Sequence, residues 1–351
     1  GCGMNRTMKA VVYHSKDHIA LEDRPVPTLQ QPDDAIVRVT LSTICSSDLH
    51  IMHGTVPRAK EGVILGHEFV GVVEQVGTGV TRFQPGDRVS VSVESFCGEC
   101  FYCKRGFVNN CEKGGWELGC RIDGCQAEYV RVPFADQGMT RIPDSISDES
   151  ALFVGDVLAT GYWAAQIGDI LPSDTLLVLG AGPTGLVTMM CAKLYGPARI
   201  IAVDINPDRL EVAKKNGLAD ITLLAGRDNV EEEVLRLTQG RGADRVFEVA
   251  GTKGTFEQAW KLCRPSGTVI LVALYPDAQT LPLHQMYGKN LTFKTGGVHA
   301  GYGEDILRLI ETGRLDTSCM ITHRAPLSEA LTGYRVFEAQ EDHCIKWLIQ
   351  G

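Results

Sequence analysis

Cys97, Cys100, Cys103 and Cys111 follow one another as C-x2-C-x2-C-x7-C. Four thiolates on one short loop can close a tetrahedron around Zn2+, and a cage of four protein ligands leaves no position for a substrate. The chemistry expected of this loop is therefore structural. A second signature begins at Gly180, where Gly180-Ala181-Gly182-Pro183-Thr184-Gly185 fits G-x-G-x-x-G. Glycines there let the backbone turn tightly and approach a pyrophosphate, and a following helix offers N–H groups and the positive end of its dipole. Asp204 ends the next apolar run. A carboxylate at that place can accept hydrogen bonds from the adenosine ribose and repels a 2′-phosphate, which favours NAD over NADP. Arg209 stands close enough in sequence to contact the same ribose, or to accommodate a phosphate.

These groups need elements to hold them. Over the first 150 residues, short apolar runs such as 35–40 and 70–76 alternate with turn clusters such as Gln84-Pro85-Gly86-Asp87, a β-rich pattern. From about Ser173 the rhythm changes to strand–helix–strand. Strands are expected at 175–179, 199–204, 220–224, 244–249, 268–274 and 291–294, with helices at 184–195, 207–216, 230–237 and 255–263. That alternation describes an α/β chain with a doubly wound parallel sheet. The tail after Gly297 returns to mixed structure and is expected to rejoin the first domain.

The bulk properties agree. At 351 residues the chain is long enough for two domains, and 44% apolar with 22% charged residues is ordinary for a soluble globular protein. A net charge of −9 and the lack of a dense Lys/Arg run exclude nucleic acid as an expected partner. The start lacks an apolar signal-peptide core. The uncharged stretch 175–192 is broken by Gly180, Gly182, Pro183 and Gly185, so it reads as strand, turn and helix and not as a membrane span. Twelve cysteines without a secretory signal fit metal binding and free thiols in a cytoplasmic protein. Cys120, Cys125, Cys191, Cys263, Cys319 and Cys344 lack ligand spacing and are expected to be structural, with Cys2 at the surface. His53, His299 and His323 have no partner assignable from sequence.

Three further metal-ligand types lie on separate segments: Cys45, His67 and Asp156. Spacing alone does not single them out. Gly66-His67-Glu68-x2-Gly71-x2-Glu74-x-Val76-Gly77, then Gly86-Asp87-Arg88-Val89, the four-cysteine loop and the glycine fingerprint occur in that order. Over nearly its whole length the chain thereby resembles the medium-chain, zinc-dependent alcohol dehydrogenases. The resemblance implies a GroES-like, β-rich catalytic domain over 1–157 and 298–351, and a Rossmann domain over 158–297. It also implies two zinc ions per chain. The structural ion takes the four cysteines, and the catalytic ion takes Cys45, His67 and Asp156. Asp156 stands where many members carry a second cysteine, a departure similar to bacterial secondary-alcohol dehydrogenases with a Cys/His/Asp site. A carboxylate is a harder ligand than a thiolate, but the formal ligand charge is unchanged and zinc accepts both. Glu68 is implied as an outer carboxylate or a transient fourth ligand.

In that family zinc lowers the pKa of the alcohol hydroxyl, hydride passes to the nicotinamide, and a proton leaves through a hydroxyl and a histidine; Ser47 and His50 match those positions. Thr160, Val272 and Leu274 match places beside the cofactor, while Ser47, Val93, Trp116 and Leu274 match the substrate pocket. Val93 is small where many members carry an aromatic, which implies room for a secondary or branched alcohol. A polyol dehydrogenase and a formaldehyde-type aldehyde-processing enzyme are the alternatives within the family. Outside it stand a zinc-ribbon binding module and a catalytically silent relative; the first lacks a basic face and the second would have lost the Cys45, His67 and Asp156 set. A homodimer or homotetramer is implied, with a small alcohol or carbonyl compound as substrate and no membrane partner.

Overall fold

The computed structural model describes residues 6–351, and Cys2 lies outside them. One compact unit runs to Ala159 and resumes at His299–Gly351; the other is Thr160–Val298. The strands of the first unit begin with β1 (Thr7–Ser15), β2 (His18–Pro25), β3 (Ala35–Thr43), β4 (Val63–Ile64), β5 (Phe69–Val76), β6 (Arg88–Val91), β7 (Tyr129–Val132) and β8 (Met139–Arg141). The second unit contributes β9 (Thr175–Leu179), β10 (Arg199–Asp204), β11 (Ile221–Leu224), β12 (Ala243–Glu248), β13 (Cys263–Leu271) and β14 (Thr292–Thr295). Strands β15 (Ile321–Pro326) and β16 (Lys346–Gln350) return to the first unit.

In the first unit β3 is the organising strand. Val37 and Val39 are buried while Arg38 between them is exposed, the period of two expected of a strand with one face on a core. β3 pairs antiparallel with β5, β7 and β16, and the larger sheet runs β15-β16-β3-β5-β6-β8. One apolar cluster joins Val37 and Val39 to Phe69, Val73, Val89 and Val91. Another joins Ile44, Ile51, Leu65, Tyr334 and Trp347. Each fully buried side chain of this size contributes about 1.5–3 kcal/mol. Ile44 and Leu65 matter most for function, because each anchors the segment in which a site residue follows.

In the second unit the order β11-β10-β9-β12-β13-β14 is entirely parallel, the doubly wound arrangement expected from the sequence rhythm. Leu176, Leu177, Val178 and Leu179 of β9 are all fully buried, as a strand covered on both faces requires. Most boundaries shift by one to a few residues from expectation, and two of the shifts have a visible cause. A helix expected from residue 255 starts at Lys253, because Thr252 caps it by accepting from Thr255 N at 3.1 Å. The strand expected over 268–274 runs from Cys263 to Leu271, because pairing with β12 begins at Cys263 opposite Ala243. Among the described residues no helix is long and apolar enough to cross a membrane.

Candidate metal centre and dinucleotide site

Cys45 follows buried Ile44 and immediately precedes the helix Ser46–Met52. His67 follows Gly66, whose φ of +103° favours glycine and where an added Cβ would lie 2.6 Å from Gln126 Cγ. Asp156 ends the turn Leu152–Gly155, and a Cβ on Gly155 would lie 2.0 Å from Val91 O, so only glycine lets this turn close on β6. Three unrelated segments thus deliver three side chains to one point. Asp156 Oδ2 lies 2.9 Å from His67 Nε2 and 3.3 Å from Cys45 Sγ. The thiolate-forming sulfur, the ring nitrogen and the carboxylate oxygen all fall within 4.8 Å of one another, buried or nearly so.

A soft sulfur, an imidazole and a carboxylate form a donor set that Zn2+ accepts, and three protein ligands leave a fourth position for an exchangeable oxygen. The opposite ring nitrogen supports this fit. His67 Nδ1 lies 3.4 Å from Asp48 Oδ1, the carboxylate placement that fixes a metal-binding imidazole. Burial works against charge on His67, but Asp48 and Asp156 outweigh it and hold the ring well above the usual histidine range. Asp156 is lowered: burial opposes ionisation and neighbouring His67 overcomes it. Burial, with Asp156 beside it, raises the Cys45 thiol. The pocket is built to hold positive charge.

Asp48 was not singled out by sequence reasoning. It accepts from Cys45 N at 2.9 Å and from Gln126 Nε2 at 3.3 Å, so one carboxylate braces the segments carrying both Cys45 and His67. Its place at the third residue of a helix, an acid at capping-box spacing, was the available signal. Lys346 was missed too. It is 1% exposed and sits in β16 among Ile345, Trp347 and Leu348, where a lone charge in an apolar run asks for a partner. That partner is Glu68: Lys346 Nζ lies 2.7 Å from Glu68 Oε1, while Glu68 Oε2 accepts from Val157 N at 2.7 Å. Both Glu68 oxygens are therefore engaged behind the cluster, on Lys346 and on the residue after Asp156.

Ser47 donates to Cys45 Sγ at 3.3 Å and lies 3.2 Å from His67 Nε2, so its hydroxyl touches the cluster. His50 lies in the same helix, 3.3 Å from Thr55 Oγ1, and burial followed by the nearby His53 lowers its basicity. Trp116 and His67 pack in a T-shaped pair with ring centres 5.3 Å apart, and Val93 is buried. Leu274 belongs to the second unit and is 50% exposed. The unassigned histidines have partners: His53 bridges Asp17 and Glu338, His323 stacks on Trp347 and reaches Asp342, and His299 Nε2 lies 2.9 Å from Gly106 O in the four-cysteine loop.

In that loop the four sulfurs converge. Backbone amides point at them: Cys97 N donates to Cys111 Sγ at 3.2 Å, Lys113 N to the same sulfur at 3.4 Å, and Cys103 N and Glu112 N to Cys100 Sγ at 3.5 Å. Amides from Cys103 and Glu112 lower Cys100 to about 6, whereas burial pushes Cys103 up to about 12. Four crowded sulfurs cannot all ionise without a cation, and a Zn2+ ion held there would supply that charge. The remaining described cysteines form no disulfide.

In the second unit the glycine fingerprint joins β9 to the helix Pro183–Ala192, with Gly182 as N-cap and Pro183 in its first turn. Gly180 has φ +115°, and a Cβ on Gly185 would lie 1.9 Å from Gly180 O. Tight turn and close helix–strand approach are what a pyrophosphate cradle needs. Asp204, at the end of β10, accepts from Ala181 N at 2.7 Å and Asn206 N at 2.8 Å, fastening the turn to the neighbouring strand. The Arg209 guanidinium crosses Gly182, where a Cβ would lie 2.7 Å from its Nη1. Thr184 lies in the first turn of the helix, Thr160 in the helix Val157–Ile167, and Val272 N donates to Glu248 O at 3.0 Å.

Comparison with known proteins follows these features. Residues 31–144 match the alcohol dehydrogenase GroES-like domain, and residues 183–311 match the zinc-binding dehydrogenase domain. An alcohol dehydrogenase of Cupriavidus necator strain H16 is 36% identical, covering 99% of this chain and 100% of its own. The solved alcohol dehydrogenase TADH from Thermus sp. ATN1 is 38% identical with a TM-score of 0.88, covering 98% of this chain and 99% of its own. The apo zinc-dependent alcohol dehydrogenase 2 from Streptococcus pneumonia is 36% identical with a TM-score of 0.92, covering 98% of each chain.

Proposed function

Since the chain belongs to the zinc-dependent alcohol dehydrogenases, we propose that its reaction centre is the cluster of Cys45, His67 and Asp156. The chain is a zinc-binding, NAD(P)-linked oxidoreductase that acts on the CH–OH group of a small-molecule alcohol. The observation carrying the assignment is the convergence of three donor atoms within 4.8 Å, with Asp48 on the far side of the imidazole. Bound there, zinc supplies Lewis acidity that makes the alcohol hydroxyl far more acidic.

The remaining steps belong to side chains. Ser47 Oγ, held against Cys45 and His67, accepts the proton leaving the alcohol while passing its own hydroxyl proton onward, so that it stays neutral. His50 farther along the same helix releases it to solvent. An imidazole whose basicity is lowered by burial gives up a proton readily near neutral pH. Trp116 shields His67 from water, and the Lys346–Glu68 pair fixes the backbone next to Asp156. The Gly180–Gly185 turn holds the pyrophosphate at the helix N-terminus, with Asp204 on the ribose and Arg209 beside it. Asp204 favours NAD over NADP. Buried Val93, with no aromatic bulk, favours a secondary or branched alcohol. Reduced cysteine thiols in number fit a cytoplasmic enzyme, and a dimer or tetramer is the assembly to expect by family likeness.

The test is a coupled absorbance assay of NAD and NADP against ethanol, 2-propanol, 2,3-butanediol and a longer polyol, with zinc counted per chain. Two ions per chain and higher kcat/KM for secondary alcohols with NAD are expected. A preference for ethanol of more than about tenfold counts against the pocket reading. One tightly held ion in a fully active enzyme counts against the reaction centre.

A further inference from the structure

A chain of buried polar side chains runs from the helix Ala330–Ala339 to the His67 imidazole. Tyr334, Gln126, Asp48 and His67 are each 2% exposed or less. The Tyr334 phenol donates to Gln126 Oε1 at 2.6 Å, and Gln126 Nε2 donates to Asp48 Oδ2 and to Thr43 O, both at 3.3 Å. Asp48 Oδ1 then faces His67 Nδ1 at 3.4 Å, and neither of these two atoms has another hydrogen-bond partner among the described residues. The Gln126 amide can take only one orientation. Thr43 O and the Asp48 carboxylate are acceptors, so both require its NH2 end, and the phenol supplies the donor that its oxygen needs. Burial pushes the Tyr334 phenol well above its usual range, which keeps it a donor. The backbone holds Gln126 equally firmly: its N–H donates to Leu65 O and its carbonyl accepts from Val11 N, each at 2.9 Å. Gly66, the residue before His67, leaves the space that the Gln126 side chain fills, since a Cβ there would lie 2.6 Å from Gln126 Cγ. Apolar side chains of like size would fill these positions without the cost of burying polar groups, whereas a fully satisfied polar network fixes one geometry. The geometry fixed here is that of the carboxylate behind a metal-binding imidazole.

We propose that Tyr334 and Gln126 are positioning residues of the reaction centre, which hold the Asp48 carboxylate on the His67 imidazole and so set how firmly the ring grips zinc. This rests on the reading of Cys45, His67 and Asp156 as the metal ligands. Partners behind a ligating imidazole fix its ring and tautomer, and their loss weakens metal binding. No other hydrogen bond reaches Asp48 Oδ1 among the described residues, so its aim is set through Oδ2, by Cys45 N and Gln126 Nε2. Without the phenol, Gln126 Oε1 loses its donor and the amide is free to turn its oxygen toward Asp48, which would push the carboxylate off the ring.

The experiment measures zinc affinity by chelator competition in wild type, Tyr334→Phe, Asp48→Asn and the double variant, with the four-cysteine site as the internal reference. Tyr334→Phe removes one hydroxyl and is expected to weaken the cluster site by about 3–10-fold, the weight of one net hydrogen bond, at unchanged cage affinity. It is also expected to shift the visible absorption bands of Co2+ bound at the cluster. In the Asp48→Asn background the same change is expected to have no further effect, because the carboxylate it positions is gone. Gln126→Met, which removes the amide at similar volume, gives the same comparison if Tyr334→Phe does not fold. Unchanged cluster affinity or an unchanged cobalt spectrum in Tyr334→Phe overturns the inference. So does an equal loss with and without the Asp48 carboxylate, or an equal loss at both metal sites, which would make the phenol a support of the fold alone. One zinc per wild-type chain, held by the sulfur cage, overturns the reaction-centre reading instead.

Discussion

The four-cysteine loop and the Cys45–His67–Asp156 cluster use overlapping chemistry and are built in opposite ways. The loop draws all its ligands from Cys97 to Cys111, and local backbone amides steady the sulfurs. The cluster draws on segments separated by 89 and 111 residues, and its bracing groups come from farther still: Lys346 reaches Glu68 across 278 residues. A short loop closes on a metal at small entropic cost, so it can be specified locally. Distant ligands can meet only after the sheet and its cores have formed. Four protein ligands would enclose an ion in the loop, whereas the three of the cluster would leave room for a reactant. On the proposed reading, local construction serves stability and distributed construction serves chemistry.

The contrast is most directly broken by removing one ligand from each. His67→Ala is expected to lose about 10⁴-fold or more in kcat/KM, since a Lewis acid supplies several kcal/mol. It should keep one zinc and a cooperative melt. Cys111→Ser is expected to lose the other zinc and melt well below wild type. If His67→Ala stays active, or Cys111→Ser leaves Tm unchanged, the division of roles fails. Ser47→Ala comes next, with a turnover loss of about 10²–10⁴-fold at unchanged zinc content. Full activity in that variant excludes the hydroxyl as proton carrier. Asp48→Asn tests bracing without altering any ligand. Zinc affinity at the cluster is expected to fall by about 10–100-fold while the sulfur cage keeps its ion, measured by chelator competition.

The smallest effect is on pH dependence. In zinc-stripped protein, Asp48 and Asp156 raise the folded pKa of His67 above its unfolded value of about 6.5. A raised pKa means that the folded state binds the proton more tightly. Its stabilisation is complete below the unfolded value and is lost as pH rises through the folded one. The Tm difference between stripped wild type and stripped His67→Gln should therefore shrink from pH 6 upward. A difference that grows with pH would contradict the charge-holding pocket. For the loaded enzyme the same proton competes with zinc, so metal affinity at the cluster should weaken as pH falls.

Much of the fold was legible because its signals are local. The parallel sheet announced itself through apolar runs alternating with helical spacing, and the observed order β11-β10-β9-β12-β13-β14 is the doubly wound one. Boundaries were less legible: the cap at Thr252 and the pairing of Cys263 with Ala243 moved two of them, and both depend on neighbours. Asp48 and Lys346 escaped notice because a carboxylate in the first turn of a short helix and a lysine near the end of the chain are ordinary until burial pairs them.

By itself the sequence determined the sulfur cage, the glycine turn and the rhythm of the parallel sheet, because each depends on residues near one another along the chain. Only the tertiary structure decided that Asp156 meets Cys45 and His67, that Lys346 neutralises Glu68, and that Glu94 Oε2 has no hydrogen-bond partner among the described residues. Those outcomes depend on burial and on distances between remote segments, which become definite only when β3, β5, β6 and β16 have assembled around their apolar clusters.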